Sequence, residues 1–312
     1  MTKAPGPINL PSDVINWLRH VFIQCNEKIS NKITDIPTAH EESFDLSFIE
    51  AFSHLEAPVR LPSGWTLRFE THFLGGARHF HRWEIADIGL LLMIRTANNL
   101  RLSKIALLQS KRLYPDEITV EEEHTILDYQ IGFRRLFEQD DEWAEFTKPR
   151  AFSFTQDSKY RALKVNDTQY KAIKNYEKAF KIPVYYLLYN PNILPWTTNF
   201  PLVASRPKPP SCNIGCRILP AKELQKALKT ATADYTPMYR ELSMLAPKTS
   251  LKYGGNWRLE DFAVDLFTGC EVGHITGTTI GEGLQRVFNE RTGPLNAAIS
   301  ITMDAPEDYR FD

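Results

Sequence analysis

Cysteine is scarce in this chain, and what there is does not form a framework. Four cysteines (Cys25, Cys212, Cys216 and Cys270) among 312 residues exclude a small disulfide-stapled scaffold. Cys212 and Cys216 lie four apart with no second close pair of Cys or His, which argues against a structural zinc site. Long apolar runs are also missing. A membrane-spanning helix needs roughly 18 consecutive apolar residues, and the best candidate, Ile85 to Ile94, is short and interrupted by Asp87. Met1 to Pro11 lacks the apolar stretch of a secretory signal, so the expectation is a reduced, cytoplasmic protein with no membrane partner. Neither sign of charge dominates: 37 Lys+Arg stand against 38 Asp+Glu, a formal net charge of −1. That excludes a uniformly basic nucleic-acid coat but says nothing of local patches. Two nucleotide and hydrolase signatures are absent as well. Gly277 to Gly283 lacks the Gly-Lys-Ser/Thr of a phosphate-binding loop, and no Gly-x-Ser-x-Gly elbow occurs.

What remains is an ordinary globular composition, 43% hydrophobic and 24% charged, long enough for two domains or one enlarged core. Apolar residues at helical spacing (Val14, Leu18, Val21, Phe22, Cys25) predict a helix from Asp13 to about Ile29, capped by Ser12. A second helix is predicted over Glu41 to Leu55, with the stripe Phe44, Phe48, Ile49 and Phe52. The period then changes to that of strands: Trp65 to Leu74, Glu84 to Ala97 after the Gly75-Gly76 break, and Leu102 to Leu113 before Pro115. Residues 116 to 145, with Glu121-Glu122-Glu123 and Asp140-Asp141-Glu142, read as an acidic surface insertion. Thr168 to Lys181 reads as a helix and Ile182 to Tyr189 as an aromatic-rich strand. The stretch from Pro191 to Pro210 holds six of the 20 prolines, and marks a boundary between a core of residues 41–190 and a carboxy-terminal extension of residues 191–312, with residues 1–40 as an amino-terminal helical segment. In the extension the pattern predicts a short strand at Cys216 to Leu219, helices near Ala221 to Thr230, Leu259 to Phe267 and Leu284 to Asn289, and a strand at Ala297 to Met303.

Chemistry concentrates on two of these strands. Ile105, Leu107, Gln109 and Lys111 share one face of a strand whose other face holds Ala106, Leu108 and Ser110. Both faces are mostly apolar, so the strand is expected at the centre of a sheet, where an amide and an ammonium are costly unless something pairs them. Asp87 lies one hairpin earlier. A divalent cation and a phosphate would account for these polar residues together. Asp87, the Gln109 side-chain oxygen and the Ser110 carbonyl offer hard oxygen ligands of the kind that suit Mg²⁺ (or Mn²⁺), and Lys111 can orient a water and offset charge on the phosphorane. The competing structural role is a buried Asp87–Lys111 ion pair with Gln109 as hydrogen-bond partner.

An Asp, a hairpin, and then Gln-x-Lys at the end of the next strand resembles the PD-(D/E)xK restriction-endonuclease superfamily, in the variant where Gln replaces the motif's acid. Such variants occur among enzymes attacking foreign or modified DNA, including type IV restriction enzymes of the Mrr kind. The resemblance covers roughly residues 40 to 190. It implies an α/β fold in which a restriction-endonuclease-like mixed sheet is flanked by helices. Its core would be a helix, three antiparallel strands, a second helix and a fourth strand, here followed by an α/β carboxy-terminal extension. It implies a metal-dependent DNA endonuclease acting in defence, with Asp87, Gln109 and Lys111 as its catalytic residues and a helix Glu (Glu41 or Glu42 by position, Glu50 third) aiding the metal. The sequence departs from the family in having Gln at 109 and no Pro before Asp87, which leaves open a non-catalytic DNA-binding or assembly subunit of the same fold. RNA in place of DNA is equally compatible, and the extension could receive a protein partner.

Two further expectations follow. Between Lys159 and Lys181 seven basic residues, among them Lys159, Arg161, Lys164, Lys171 and Lys174, face two acids, a density suited to phosphates or to a merely solvated helix face. The turn near Asn98-Asn99 must also be an odd loop or carry a bulge. An odd loop centred on Asn99 sets Asp87 opposite Lys111, and a regular two-residue turn would put Asp87 on the other face. His72, His79 and His81 read as exposed loop histidines and Trp83 as a core aromatic at a strand edge.

Overall fold

The computed structural model describes residues 8–55, 57–73, 85–96, 99–117, 150–200, 214–245, 256–277 and 295–309. Helix α1 (Ser12–Asp35) follows Pro11, and α2 (Glu41–Ser53) follows His40. Each buries the apolar stripe that its periodicity predicts, Val14, Leu18, Val21, Phe22 and Cys25 on α1 and Phe44, Phe48, Ile49 and Phe52 on α2. The aromatics meet the sheet directly: the Phe52 and Phe69 rings stack at 5.3 Å, with Phe22 5.2 Å from Phe52.

The large sheet has nine strands. Its order is β1 (Val59–Arg60), β2 (Thr66–Phe73), β12 (Leu295–Ala305), β3 (Ala86–Thr96), β4 (Asn99–Arg112), β7 (Val184–Tyr189), β9 (Arg217–Pro220) and β10 (Trp257–Arg258), while β11 (His274–Gly277) pairs with the first part of β4. A smaller sheet joins β5 (Asp116–Glu117), β6 (Arg150–Phe154) and β8 (Trp196–Phe200). The protein is thus mixed α/β, as the patterning predicts. Strands β4 and β7 are parallel and are connected through α3 (Thr168–Phe180), because parallel neighbours need a crossover. Asp167 caps α3 by accepting a hydrogen bond from the Tyr170 N–H, and Lys181 ends it in the left-handed conformation at φ 59°.

Two expectations about the core are corrected. The three successive strands do not form one antiparallel run, since β2 and β3 never pair. Strand β12 lies between them, antiparallel to β2 and parallel to β3. Nor is the division at residue 191 a break in the sheet: β9 pairs with β7, and β12 takes one of the most buried positions in the molecule. Eleven residues with the burial pattern of a two-sided core strand belong at the middle of a sheet, whatever their place in the sequence. The helix at 259 to 267 also differs, being a short α turn (Leu259–Asp261) continued as a π-helix (Phe262–Thr268). Residues 118 to 145 of the acidic insertion, the predicted helix at Leu284 to Asn289, and His79, His81, Trp83 and Cys212 lie outside the described residues.

Candidate metal and phosphate site

The register of β3 against β4 decides which face Asp87 takes. The ladder runs from Thr96↔Asn99 to Ile88↔Leu108, with a bulge at Arg101, since Ile94 pairs Leu102 while Arg95 pairs Leu100. That extra residue shifts the register, as the turn demands. Continued by one pair, the ladder sets Asp87 beside Gln109, two residues short of the predicted partner Lys111 but on the same face. The side chains bear this out: Gln109 Nε2 donates to Asp87 Oδ2. Lys111 is reached by alternation, and its Nζ donates to Glu41 Oε1 at 2.8 Å. Glu41, the first residue of α2, also accepts from the Arg112 N–H at 3.1 Å. Asp87, Gln109, Lys111 and Glu41, spread over 70 residues of sequence, therefore converge at one end of β4.

Helix α2 is anchored there by Arg112. This guanidinium is buried, donates through Nη1 to the Ala39 carbonyl and through Nη2 to the Pro37 carbonyl at 2.6 Å, and lies over the Phe44 and Tyr114 rings. Burial pulls its pKa down to about 10, still charged at neutral pH.

Asp45 and Tyr189, which sequence patterning did not single out as site residues, complete the cluster. Asp45 sits one turn after Glu41, a spacing that puts both carboxylates on one side of α2. Its Oδ1 accepts from the Tyr189 hydroxyl at 2.7 Å and its Oδ2 lies 2.9 Å from Ser110 Oγ. Ser110 Oγ is also 2.8 Å from Asp87 Oδ2, and the Ser110 N–H donates to that same oxygen at 2.8 Å. Ser110, expected to act through its carbonyl, thus reaches Asp87 through its N–H and hydroxyl. One hydroxyl proton cannot be donated fully to two carboxylates, so the two acids compete for it.

The electrostatics agree. Burial, and then the charge of Asp87, push Asp45 well above the usual carboxylate range. Burial raises Asp87 to about 6, with Lys111 opposing and Glu41 adding to the rise. Burial alone would lower Lys111, but Glu41 and Asp87 outweigh it and raise its pKa. The consequence for Asp87 has a definite sign. In the folded chain it holds its proton up to about pH 6, but when unfolded only to about pH 4. Its contribution is therefore fully present below about pH 4 and lost as pH rises through 6. In metal-free buffer, wild type should lose about 2–3 kcal/mol relative to Asp87→Asn between pH 4 and 7, read from urea midpoints. Parallel pH curves for the two proteins would contradict this.

The residues present suit a hard divalent cation in one specific respect. Gln109 is 1% exposed and its Oε1 has no hydrogen-bond partner, although a buried carbonyl oxygen without a partner is costly. With the amide turned, that oxygen would face the Asp87 carboxylate, an arrangement that needs a cation between them. Among the described residues no three His, Cys, Asp or Glu side chains group so as to hold a metal by themselves, and the Gln109 amide is an oxygen donor outside those four types.

The predicted phosphate-binding residues Lys159, Arg161, Lys164, Lys171 and Lys174 are all exposed. The first two are fixed close to the Lys111 end of β4: the Tyr114 N–H donates to the Lys159 carbonyl at 3.0 Å, and the Arg161 guanidinium lies 5.7 Å from the Tyr114 ring centroid. Lys171 and Lys174 are on α3, whose buried side carries Tyr170, Ile173 and Tyr176. Of the remaining candidates, Glu42 and Glu50 are exposed on α2, and His72 lies at the exposed end of β2 with its Nε2 3.1 Å from Ser300 Oγ. No helix among the described residues is long and apolar enough to cross a membrane. Comparison with family models, curated proteins and solved structures finds no match for this chain.

Proposed function

We propose that this protein is a metal-dependent endonuclease that hydrolyses phosphodiester bonds in DNA, with a restriction-endonuclease-like site and a role in defence against foreign DNA. The observation that carries the proposal is the meeting of Asp87, Gln109, Lys111 and Glu41 at one end of β4. The buried Gln109 oxygen, which has no hydrogen-bond partner, supports the reading, because a cation would satisfy it.

Asp87 and Gln109 Oε1 would hold Mg²⁺ or Mn²⁺. When bound, the cation supplies Lewis-acid activation of a phosphoryl oxygen and lowers the pKa of a coordinated water. Lys111, kept charged by Glu41, places a cationic donor where negative charge develops on the phosphorane. Lys159 and Arg161 flank this end of the strand and would hold the phosphates on either side of the scissile bond. DNA is favoured by the resemblance to restriction endonucleases.

Plasmid DNA incubated with Mg²⁺ or Mn²⁺ should be nicked and then linearised, and chelation should stop the reaction. Binding without cleavage in either metal would point instead to a non-catalytic DNA-binding or assembly subunit, consistent with the amide at position 109. Cleavage of RNA in preference to DNA would overturn the substrate assignment. A triple Ala variant at Lys159, Arg161 and Lys164 should weaken DNA binding regardless of sequence. It should also flatten the slope of log affinity against log salt by about two to three units. An unchanged slope would remove these residues from the interface.

A further inference from the structure

The proposed cation site is short of charge. Glu41 and Asp87 are balanced by Lys111 and Arg112, and Gln109 is neutral, so these residues alone offer a divalent cation no net attraction. Asp45 changes the balance. It reaches the same point from α2, with Oδ2 2.9 Å from Ser110 Oγ, the atom that lies 2.8 Å from Asp87 Oδ2. Two carboxylate oxygens thus flank one hydroxyl, and the unpartnered, buried Gln109 Oε1 belongs to the amide whose nitrogen touches Asp87. Asp45 is also held in orientation, because the Tyr189 hydroxyl engages its other oxygen at 2.7 Å. Phe44 and Phe48 pack on the Tyr189 ring, at 5.8 and 6.5 Å between centroids, and so fix this turn of α2 on the end of β7.

We propose that Asp45 supplies the second carboxylate of the cation site, standing in from helix α2 for the acid that the strand lacks at position 109. The inference rests on the metal-site proposal above. The ligand set is then Asp45, Asp87 and the Gln109 side-chain oxygen. Two carboxylates and one amide are a suitable set for a hard cation that keeps several of its waters. Filling the site would satisfy the orphaned amide oxygen and relieve the contest of two carboxylates for one serine proton.

The test is a calorimetric titration of the full chain with Mn²⁺, and in parallel with Mg²⁺, so the readout does not depend on cleavage. Asp45→Asn should weaken Mn²⁺ binding about tenfold or more, as should Asp87→Asn, while Glu50→Gln, an exposed position on the same helix, should leave it unchanged. Asp45→Ser is a second route to the same loss of charge, and circular dichroism identifies which variants are folded. If Asp87→Asn weakens binding but both folded Asp45 variants bind like wild type, the inference is overturned and the metal-site proposal survives. If wild type shows no Mn²⁺ binding up to millimolar concentrations, both are overturned.

Discussion

Replacing Lys111 with alanine is expected to lower metal-dependent DNA cleavage by about a hundredfold or more, the scale seen when a preorganised donor to a developing oxyanion is removed. The difficulty is that Lys111 also has structural work. It is 3% exposed and ion-paired to Glu41, and removing one partner of such a pair leaves the other charge uncompensated at a cost of about 3–5 kcal/mol. Lost cleavage by Lys111→Ala alone would therefore be ambiguous. The double variant Glu41→Gln with Lys111→Met separates the two effects, since it removes both charges while nearly keeping volume. Its urea midpoint should return most of the way to wild type, and its cleavage should stay at the level of the single variant. Recovery of cleavage along with stability would show that Lys111 holds the fold and does no chemistry.

Arg112→Ala should be among the most damaging single changes to stability around the site. The guanidinium donates to the Pro37 and Ala39 carbonyls and lies over Phe44 and Tyr114, and hydrogen bonds from a charged group contribute about 1.5–3 kcal/mol each. A loss of about 3–5 kcal/mol follows, a fall in Tm on the order of 10 °C for a chain of this size. Arg112→Lys should recover only part of it, because an ammonium cannot span both carbonyls as a planar fork does. The variant should also lose cation affinity and cleavage below its midpoint, since the segment that Arg112 grips leads straight into Glu41 and Asp45. A folded Arg112→Ala protein with wild-type stability would remove Arg112 as the anchor of α2.

Local pattern was a good guide to the elements. The helices at 12–35, 41–53 and 168–180 and the strands near 66–73, 86–96, 99–112 and 184–189 all fall close to where periodicity places them, because a helix stripe or a two-sided apolar strand is a property of neighbouring residues. Gln109 and Lys111 stood out for the same local reason, as polar groups in a strand too apolar to be at an edge. An odd loop or a bulge was deducible as a pair of alternatives, since a regular two-residue Asn98-Asn99 turn would turn Asp87 away from Gln109 and Lys111; the structure takes the bulge.

Pairing between distant segments was out of reach of such patterns. Nothing in residues 295–305 says that they insert between β2 and β3, because an apolar strand is equally content beside any other; that choice is made by the whole sheet. Asp45 was invisible for a related reason. On its own helix it is one more acid on a solvent-ward turn, and it becomes unusual only when packing of Phe44 and Phe48 on Tyr189 brings it against Ser110. The chain alone thus specified its helices, its central strands and the amide and ammonium that need partners. Which carboxylates answer them was decided by tertiary packing, since burial and proximity, the two quantities that turn a side chain into a site, exist only once the chain has closed on itself.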